Sequence, residues 1–308
     1  MSFNSQLNPD VVKTALDAVV FQNYDVPQGP DVATALSPEI FRQSTLDRQA
    51  VILEVFKGVG LFEERAEEQD VPQDTPRIGD KITFTVINYS KEVEISKNFF
   101  DDSMFDAVQE MMEDFGNMAR VTRDNTAMGL YRGAFTTTLT ADGVALISAS
   151  HVNLNGDTVD NTVTGPLSES SLNDGIVSLI QQENQAGVIR GYQPRCLLVS
   201  AALYKTAVEI TDSELKSGTD ENDLNIYSTK YGITVKQSPY LGAAAGGSDT
   251  AWFLLSDRHN VYRWNRQGLQ TDLVPYQYQR NNNYIYKGEY REVYGAITYE
   301  GLVGSTGL

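Results

Sequence analysis

The chain has 308 residues, 41% of them apolar and 21% charged, with a formal net charge of −17. That length allows about two domains and a sizeable core, and the composition is that of a globular protein rather than a disordered one. The acidic balance disfavours tight nucleic-acid binding, because neutralising phosphates needs a surplus of Lys and Arg. No run of 18 apolar residues is present to span a membrane. The opening MSFNSQLNPD lacks the basic and apolar regions of a secretory signal, so none is expected. A single cysteine, Cys196, excludes an intrachain disulfide and suits a reducing compartment. Within the run CLLV it reads as a buried core thiol.

Residues 1–59 read as an arm with little core of its own. Pro27, Gly29 and Pro30 forbid regular structure over Val26–Ser37. A short helix is predicted over Leu46–Phe56, with Leu46, Ala50 and Leu53 on one side and Gly58 and Gly60 closing it. Such an arm gains order only by lying on another surface. Glu63–Pro76 is an acidic link. From Gly60 to Asp114 there are 15 Asp and Glu against 5 Lys and Arg, more than half of the chain's net charge. The segment Arg77–Lys97 has strand periodicity, with Ile82, Phe84 and Val86 on one face and Val93 and Ile95 alternating with Glu92 and Glu94. Asn88–Lys91 is the expected turn of a hairpin. Two strands alone are marginal in water, so this acidic ribbon is expected to rest on another subunit.

A helix about 31 residues and roughly 45 Å long is predicted from Ser103 to about Gly133. Asp101, Asp102 or Ser103 could cap it. Its apolar stripe is Met104, Val108, Met111, Phe115, Met118, Ala119, Thr122 and Leu130. Glu110, Glu113, Asp114, Arg120, Arg123 and Asp124 fall opposite, as expected of a spine packed on one side. Gly143–Leu154 reads as a strand entering a turn, followed by a polar loop, Asn155–Gly165. A second unit then begins near Ser168. It comprises a helix over Leu172–Asn184, a buried strand Cys196–Val199, a helix over Ala201–Ile210 and a polar loop, Ser213–Asp223. Strands at Ile233–Val235 and Trp252–Leu255 flank a Gly/Ala-rich stretch. From Tyr262 the chain is aromatic and β-patterned, closing with Tyr284–Leu302.

No catalytic signature accompanies these elements. HExxH, CxxC, GxSxG and Walker A patterns are absent, and Gly58-Val59-Gly60 lacks the third glycine of a dinucleotide loop. His259 reads as a turn residue. His151, beside Ser150, would serve only a hydrolase without a nucleophile elbow. Asn153–Asp160 offers oxygen ligands but not EF-hand spacing, and Asp220, Glu221 and Asp223 read as a solvated loop. No cofactor, no metal and no catalytic residue is therefore assigned.

The order of arm, acidic hairpin, spine helix, α/β insert and aromatic β-run resembles the HK97-like major capsid proteins of tailed bacteriophages. The local likeness is greatest to Mu-like head subunits. In that family a strand and turn like GVALISASHVNL precede the α/β insert, PRCLLVSAALYKTAVEI is similar to its strand and helix, and GITVKQSPYLG with AWFLLSDRHNVYRW to its next strands. The resemblance implies an α+β fold with an N-arm (1–59), an extended E-loop hairpin (60–100), and a P-domain carrying the spine helix (101–166). An α/β A-domain (167–267) and closing P-domain strands (268–308) complete it. It implies a major capsid protein, not an enzyme, that forms hexamers and pentamers around double-stranded DNA without reading its sequence. A separate scaffolding protein and a portal are implied partners, decoration proteins are further candidates, and no membrane is involved. The location implied is the virion, with assembly in the host cytoplasm. Phe84, Val86, Lys91, Glu92 and Glu94 are the expected intersubunit contacts. Lys91 and Lys97 are hairpin lysines, but no crosslink acceptor or catalytic acid matches, so no crosslink is carried over. An encapsulin-type nanocompartment shell is the alternative of the same fold, and a soluble hydrolase using Ser150 and His151 the alternative of another class.

Overall fold

A computed structural model describes residues 9–308 apart from 27, 57, 59–60, 72, 74–77, 103–104, 154, 213–226 and 282. The polar loop read at Ser213–Asp223, including Asp220, Glu221 and Asp223, lies outside the described residues, as do Ser103 and Met104.

The arm is not structureless. Helix α1 (Pro9–Tyr24) carries Val12, Leu16, Val20 and Tyr24 at four-residue spacing, all of them buried. Pro9 at its first position removes a donor that would have no helical acceptor anyway. Strand β1 (Arg42–Thr45) and strand β2 (Ala50–Phe56) follow. The helix expected over Leu46–Phe56 is therefore corrected to strand, in keeping with its β-branched Val51, Ile52 and Val55.

Strand β3 (Ile78–Thr85) pairs antiparallel with β2, Val51 opposite Phe84 and Leu53 opposite Ile82. Strand β4 (Ile87–Ser96) instead joins a different sheet, away from β2 and β3. The single hairpin turning at Asn88–Lys91 is thus corrected: those residues are strand, and the two halves of Arg77–Lys97 face different partners. A short helix α2 (Lys97–Asp102) leads into the spine α3 (Phe105–Arg132), 28 residues long.

Beyond the spine, β5 (His151–Val152) and β6 (Thr158–Val159) make a two-residue ladder. Of the strand expected from Gly143 onward, only this short β5 forms. Leu146 and Ile147 are both buried although adjacent, because irregular chain there bonds back to Thr138 and Ala134. The insert follows as α4 (Glu169–Gln181), β7 (Pro194–Ser200), α5 (Tyr204–Thr211), β8 (Thr234–Ser238) and β9 (Trp252–Ser256). Ser168 caps α4 reciprocally with Ser171. The chain closes with β10 (Val261–Val274), β11 (Asn283–Ala296) and β12 (Leu302–Ser305).

Two four-stranded sheets result, in orders β1-β10-β11-β4 and β12-β9-β7-β8. Alternation along the second sheet separates two cores. Cys196, Leu198, Phe253 and Leu255 meet Ala127, Met128 and Tyr131 of the spine, while Leu197, Val199, Trp252 and Leu254 meet α4 and α5. Burial pushes the Cys196 thiol up to about 12, so it is inert packing, as its setting in CLLV suggests. Residues 31–33 add a parallel bridge beside β8, fastening the arm to this sheet.

The spine's buried face differs from the expected stripe. Val108, Met112 and Phe115 pack on α1 and the first sheet, and Ala127, Met128, Leu130 and Tyr131 on the second. Met118 and Thr122 are exposed, whereas Arg123 and Asp124, expected outside, are buried. Asp124 accepts the Ala35 N–H at 3.0 Å, and the Arg123 guanidinium lies 4.6 Å from the Tyr24 ring centre. The spine therefore packs on several sides, not one. Gly116 lets α1 approach closely, since a Cβ there would sit 2.4 Å from the Val20 carbonyl oxygen. Among the described residues no helix is long and apolar enough to cross a membrane.

Candidate assembly interface

The β2–β3 ribbon stands on the face of the first sheet opposite the spine. At its base Val51, Val86, Trp264 and Val293 form a small core, joined by Leu53 and Phe84. The Phe84 ring stacks on Trp264 with centroids 4.8 Å apart and lies over Gly295, where a Cβ would come within 2.2 Å of it. Phe84 and Val86 are thus packed inside their own chain, correcting the expectation that this stretch of the ribbon rests on another subunit rather than on its own. The physical reason is the pairing: with β2 as its neighbour, β3 is part of a ribbon seated on the sheet.

Away from the base Gly58 lies against Ala186, but several large apolar side chains of the ribbon are bare. Ile52 is 66% exposed, Ile78 69%, Leu61 76% and Phe62 fully so. Burying such side chains is worth about 1.5–3 kcal/mol each, so four of them held in water mark a surface made for cover. Phe84 and Val86, expected as contacts, thus sit at the packed base, and the exposed apolar side chains lie elsewhere in the ribbon. The signal that finds these residues is an apolar pair, Leu61-Phe62, set directly before a run of acids.

The other expected contacts lie on β4. Lys91, Glu92 and Glu94 are all exposed. Glu92 sits 3.6 Å from the Lys287 ammonium, and Glu94 accepts from Asn283 at 2.9 Å and from Asn281. The uncovered part of this sheet face has a hollow lined by Glu92, Asp272 and Glu289 together with Lys91 and Lys287, and Glu94 follows along β4.

Behind the ribbon, a buried ion pair stiffens the sheet. Arg263 donates to Glu292 through Nε (2.8 Å) and Nη2 (2.7 Å), and its Nη1 donates to Gln43 at 3.0 Å, tying β1 to β10 and β11. Burial works against the Arg263 charge, but Glu292 and Tyr294 outweigh it and hold the guanidinium pKa above its ordinary value. Asp17 of α1 accepts from Tyr286 (2.6 Å), Thr271 (2.7 Å) and Lys13 (2.5 Å), which pins the arm helix to the same sheet.

The hydrolase alternative finds no geometry. The His151 ring is buried against Tyr299, with Nδ1 2.7 Å from Asp142 and Nε2 without a hydrogen-bond partner, while Ser150 is exposed. Burial would raise the Asp142 pKa, but hydrogen bonds from His151, Thr140 and the Val144 N–H hold it below the usual carboxylate value. Asn153 organises the loop read as a weak cation site, accepting from Asn155 and Asp157 N–H groups and donating to Glu183. Among the described residues no cluster of metal-ligating side chains is present.

Solved structures share this architecture at low identity. The capsid of the native GTA particle matches with a TM-score of 0.57 at 12% identity, over 91% of this chain and 92% of that one. The capsid of cyanophage P-SCSP1u gives 0.56 at 11%, over 91% and 90%. The virus-like particle from Pyrococcus furiosus gives 0.56 at 8%, over 95% and 98%. These likenesses establish the HK97-like α+β fold. No curated protein matches the chain. A family described as phage capsid protein matches residues 80–304, well over half of the sequence, so the chain belongs to the phage capsid protein family, a structural subunit of the virion shell and not an enzyme.

Proposed function

We propose that copies of this chain close into an icosahedral shell of hexamers and pentamers around packaged double-stranded DNA, as a Mu-like head subunit. The α/β unit of residues 167–267 meets its copies around the capsomer axis, the β2–β3 ribbon lies across the adjacent subunit, and the arm fastens a neighbour. Glu92, Glu94 and Lys91 contribute to such contacts. Assembly takes place in the host cytoplasm with a separate scaffolding protein and a portal, and decoration proteins bind the finished surface. The strand pairing supports starting the extended loop at Ala50 rather than residue 60.

One observation carries this reading: a ribbon packed at its base and touching Ala186 again at Gly58, whose apolar side chains Ile52, Ile78, Leu61 and Phe62 stand in water. The acidic chain suits a container that holds DNA without sticking to it. Sedimentation and electron micrographs of the purified chain test it. Closed particles of megadalton size are expected, and a small species at all concentrations overturns it. An encapsulin-type compartment is the second reading, which the similarity to the Pyrococcus furiosus virus-like particle keeps open. Particles recovered from the host with protein cargo instead of nuclease-protected DNA would favour it.

A further inference from the structure

Three segments pass directly between the two four-stranded sheets. Residues 34–41 lead from the bridge beside β8 to β1, residues 257–260 lead from β9 to β10, and residues 297–301 return from β11 to β12. They meet at one place. The Ile297 N–H donates to the Asn260 carbonyl at 2.9 Å, and Asn260 Nδ2 donates to Thr298 Oγ1 at 2.6 Å. Gly301, at φ +75°, packs so close that a Cβ there would stand 2.9 Å from the His259 Cα. The mutual angle of the two sheets is set where these passages touch.

His259 lies in that contact, 1% exposed. Its Nδ1 accepts the Val261 N–H at 3.3 Å and so carries no proton. The proton is therefore on Nε2, and the ring N–H donates to the Glu39 backbone carbonyl. The neutral ring joins the first passage to the second with both nitrogens in use. An imidazolium cannot keep this arrangement, because a proton on Nδ1 would meet the Val261 N–H, donor against donor. Arg42 of β1 opposes a second positive charge here, and Asp257 of the same turn favours one. The other nearby carboxylates are engaged: Glu39 lies 4.0 Å from the Lys236 ammonium, and Glu300 accepts from the Gln185 N–H and the Tyr192 hydroxyl. Burial first, then Arg42, outweigh Asp257 and the Glu39 bond and push the imidazole down from 6.5 to about 4. The chain's other histidine differs: His151 Nδ1 faces the Asp142 carboxylate, an acceptor whose bond a second proton on the ring leaves in place.

We propose that His259 is an acid-released clamp on the hinge between the two sheets. The neutral ring holds residues 34–41 against 257–261. Once protonated it leaves the crossing, and the three passages loosen together while each sheet stays intact. The opened form takes up its proton near the ordinary 6.5 and the clamped form only near 4. Clamping is therefore complete above pH 6.5 and is lost progressively as pH falls toward 4. This device does not depend on the shell reading.

Amide hydrogen exchange of the unassembled chain at pH 7 and pH 5, corrected for the intrinsic effect of pH, tests the clamp. Amides of residues 37–41, 257–261 and 297–301 should open about tenfold more at pH 5, with those at the centres of β7 and β11 unchanged. His259→Asn offers the Val261 N–H an acceptor that does not titrate, so opening of these segments should be the same at both pH values. Wild-type opening that ignores pH, acceleration that reaches β7 and β11, or an equal pH response in His259→Asn overturns the proposal. Should the variant fail to fold, NMR of the wild-type chain decides. Opening of the three passages should rise as pH falls and level off where the His259 ring signal, assigned through its contact with Gly301, titrates. Opening that levels off elsewhere overturns the clamp.

Discussion

Phe84→Ala removes the ring that fastens the ribbon to the sheet beneath it. That ring stacks on Trp264 at 4.8 Å and fills the hollow over Gly295. Truncating a fully buried Phe costs about 3–5 kcal/mol, and because Phe84 keeps part of its surface in water the expected cost is about 2–3 kcal/mol. The loss should be local. Val51 and Val86 still hold the base, and the spine and second sheet share no core with it. Native-state hydrogen exchange on the unassembled chain reads this directly. At about 1.4 kcal/mol per factor of ten, amides of Ala50–Phe56 and Ile78–Thr85 should exchange roughly 30-fold faster or more, with those of α3 and β7 unchanged. Gly295→Ala attacks the same contact from below, since its methyl would stand 2.2 Å from the Phe84 ring, and should give the same pattern. Ribbon protection that stays at the wild-type level, or falls together with that of the spine, would refute the idea of a separately anchored ribbon.

Arg263→Met leaves Glu292, 1% exposed, as a buried charge without its partner and should cost about 3–5 kcal/mol in urea unfolding, whereas Arg263→Met/Glu292→Leu should recover most of it. For Asp17, burial alone would raise the pKa, but hydrogen bonds from Lys13, Tyr286 and Thr271 hold it below the ordinary 3.8. Its contribution is therefore present above pH 3.8 and lost as pH falls through the lower folded value; proteolysis after α1 should rise in that acid window, and Asp17→Asn should show the raised cleavage already at neutral pH. Phe115→Asp, which puts a carboxylate against Tyr286 and Met112, should leave the chain insoluble, whereas Glu110→Gln on an exposed position should not; equal solubility would refute the packing of the spine. With −17 on every copy, particle formation followed by light scattering without nucleic acid should improve as salt rises from about 0.01 M to 0.1 M, where the Debye length shrinks from about 30 Å to 10 Å, and steep weakening with salt would refute that account.

Periodicity identified which segments are strands better than it identified their partners. β3 and β4 each alternate cleanly, yet nothing in alternation says that β3 pairs with β2 and β4 with β11. The polar residues Asn88, Ser90 and Lys91 look like a turn because an edge strand with one wet face uses the same residue types. Ala50–Phe56 is apolar almost throughout, so a helical choice of Leu46, Ala50 and Leu53 could be laid over it; its β-branched residues held the opposing signal. α1 was legible and missed, since Val12, Leu16, Val20 and Tyr24 repeat every four residues behind a proline. The buried strands Cys196–Val199 and Trp252–Leu255 were read correctly because a sheet covered on both faces needs a continuous apolar run.

The spine shows why the interface itself was hardest to see. A helix that changes partner midway does not keep one buried stripe: α3 turns Met112 and Phe115 toward α1 and the first sheet, then Ala127, Met128 and Tyr131 toward the second. Between these two contacts the apolar pattern continues through Met118, which stays partly exposed among the described residues. In the sequence such a residue cannot be told from core, and in a solitary chain it cannot be told from an ordinary exposed side chain. Only the two together, apolar by pattern and exposed in the fold, single it out. Leu61 and Phe62 meet the same double condition at the far end of the ribbon.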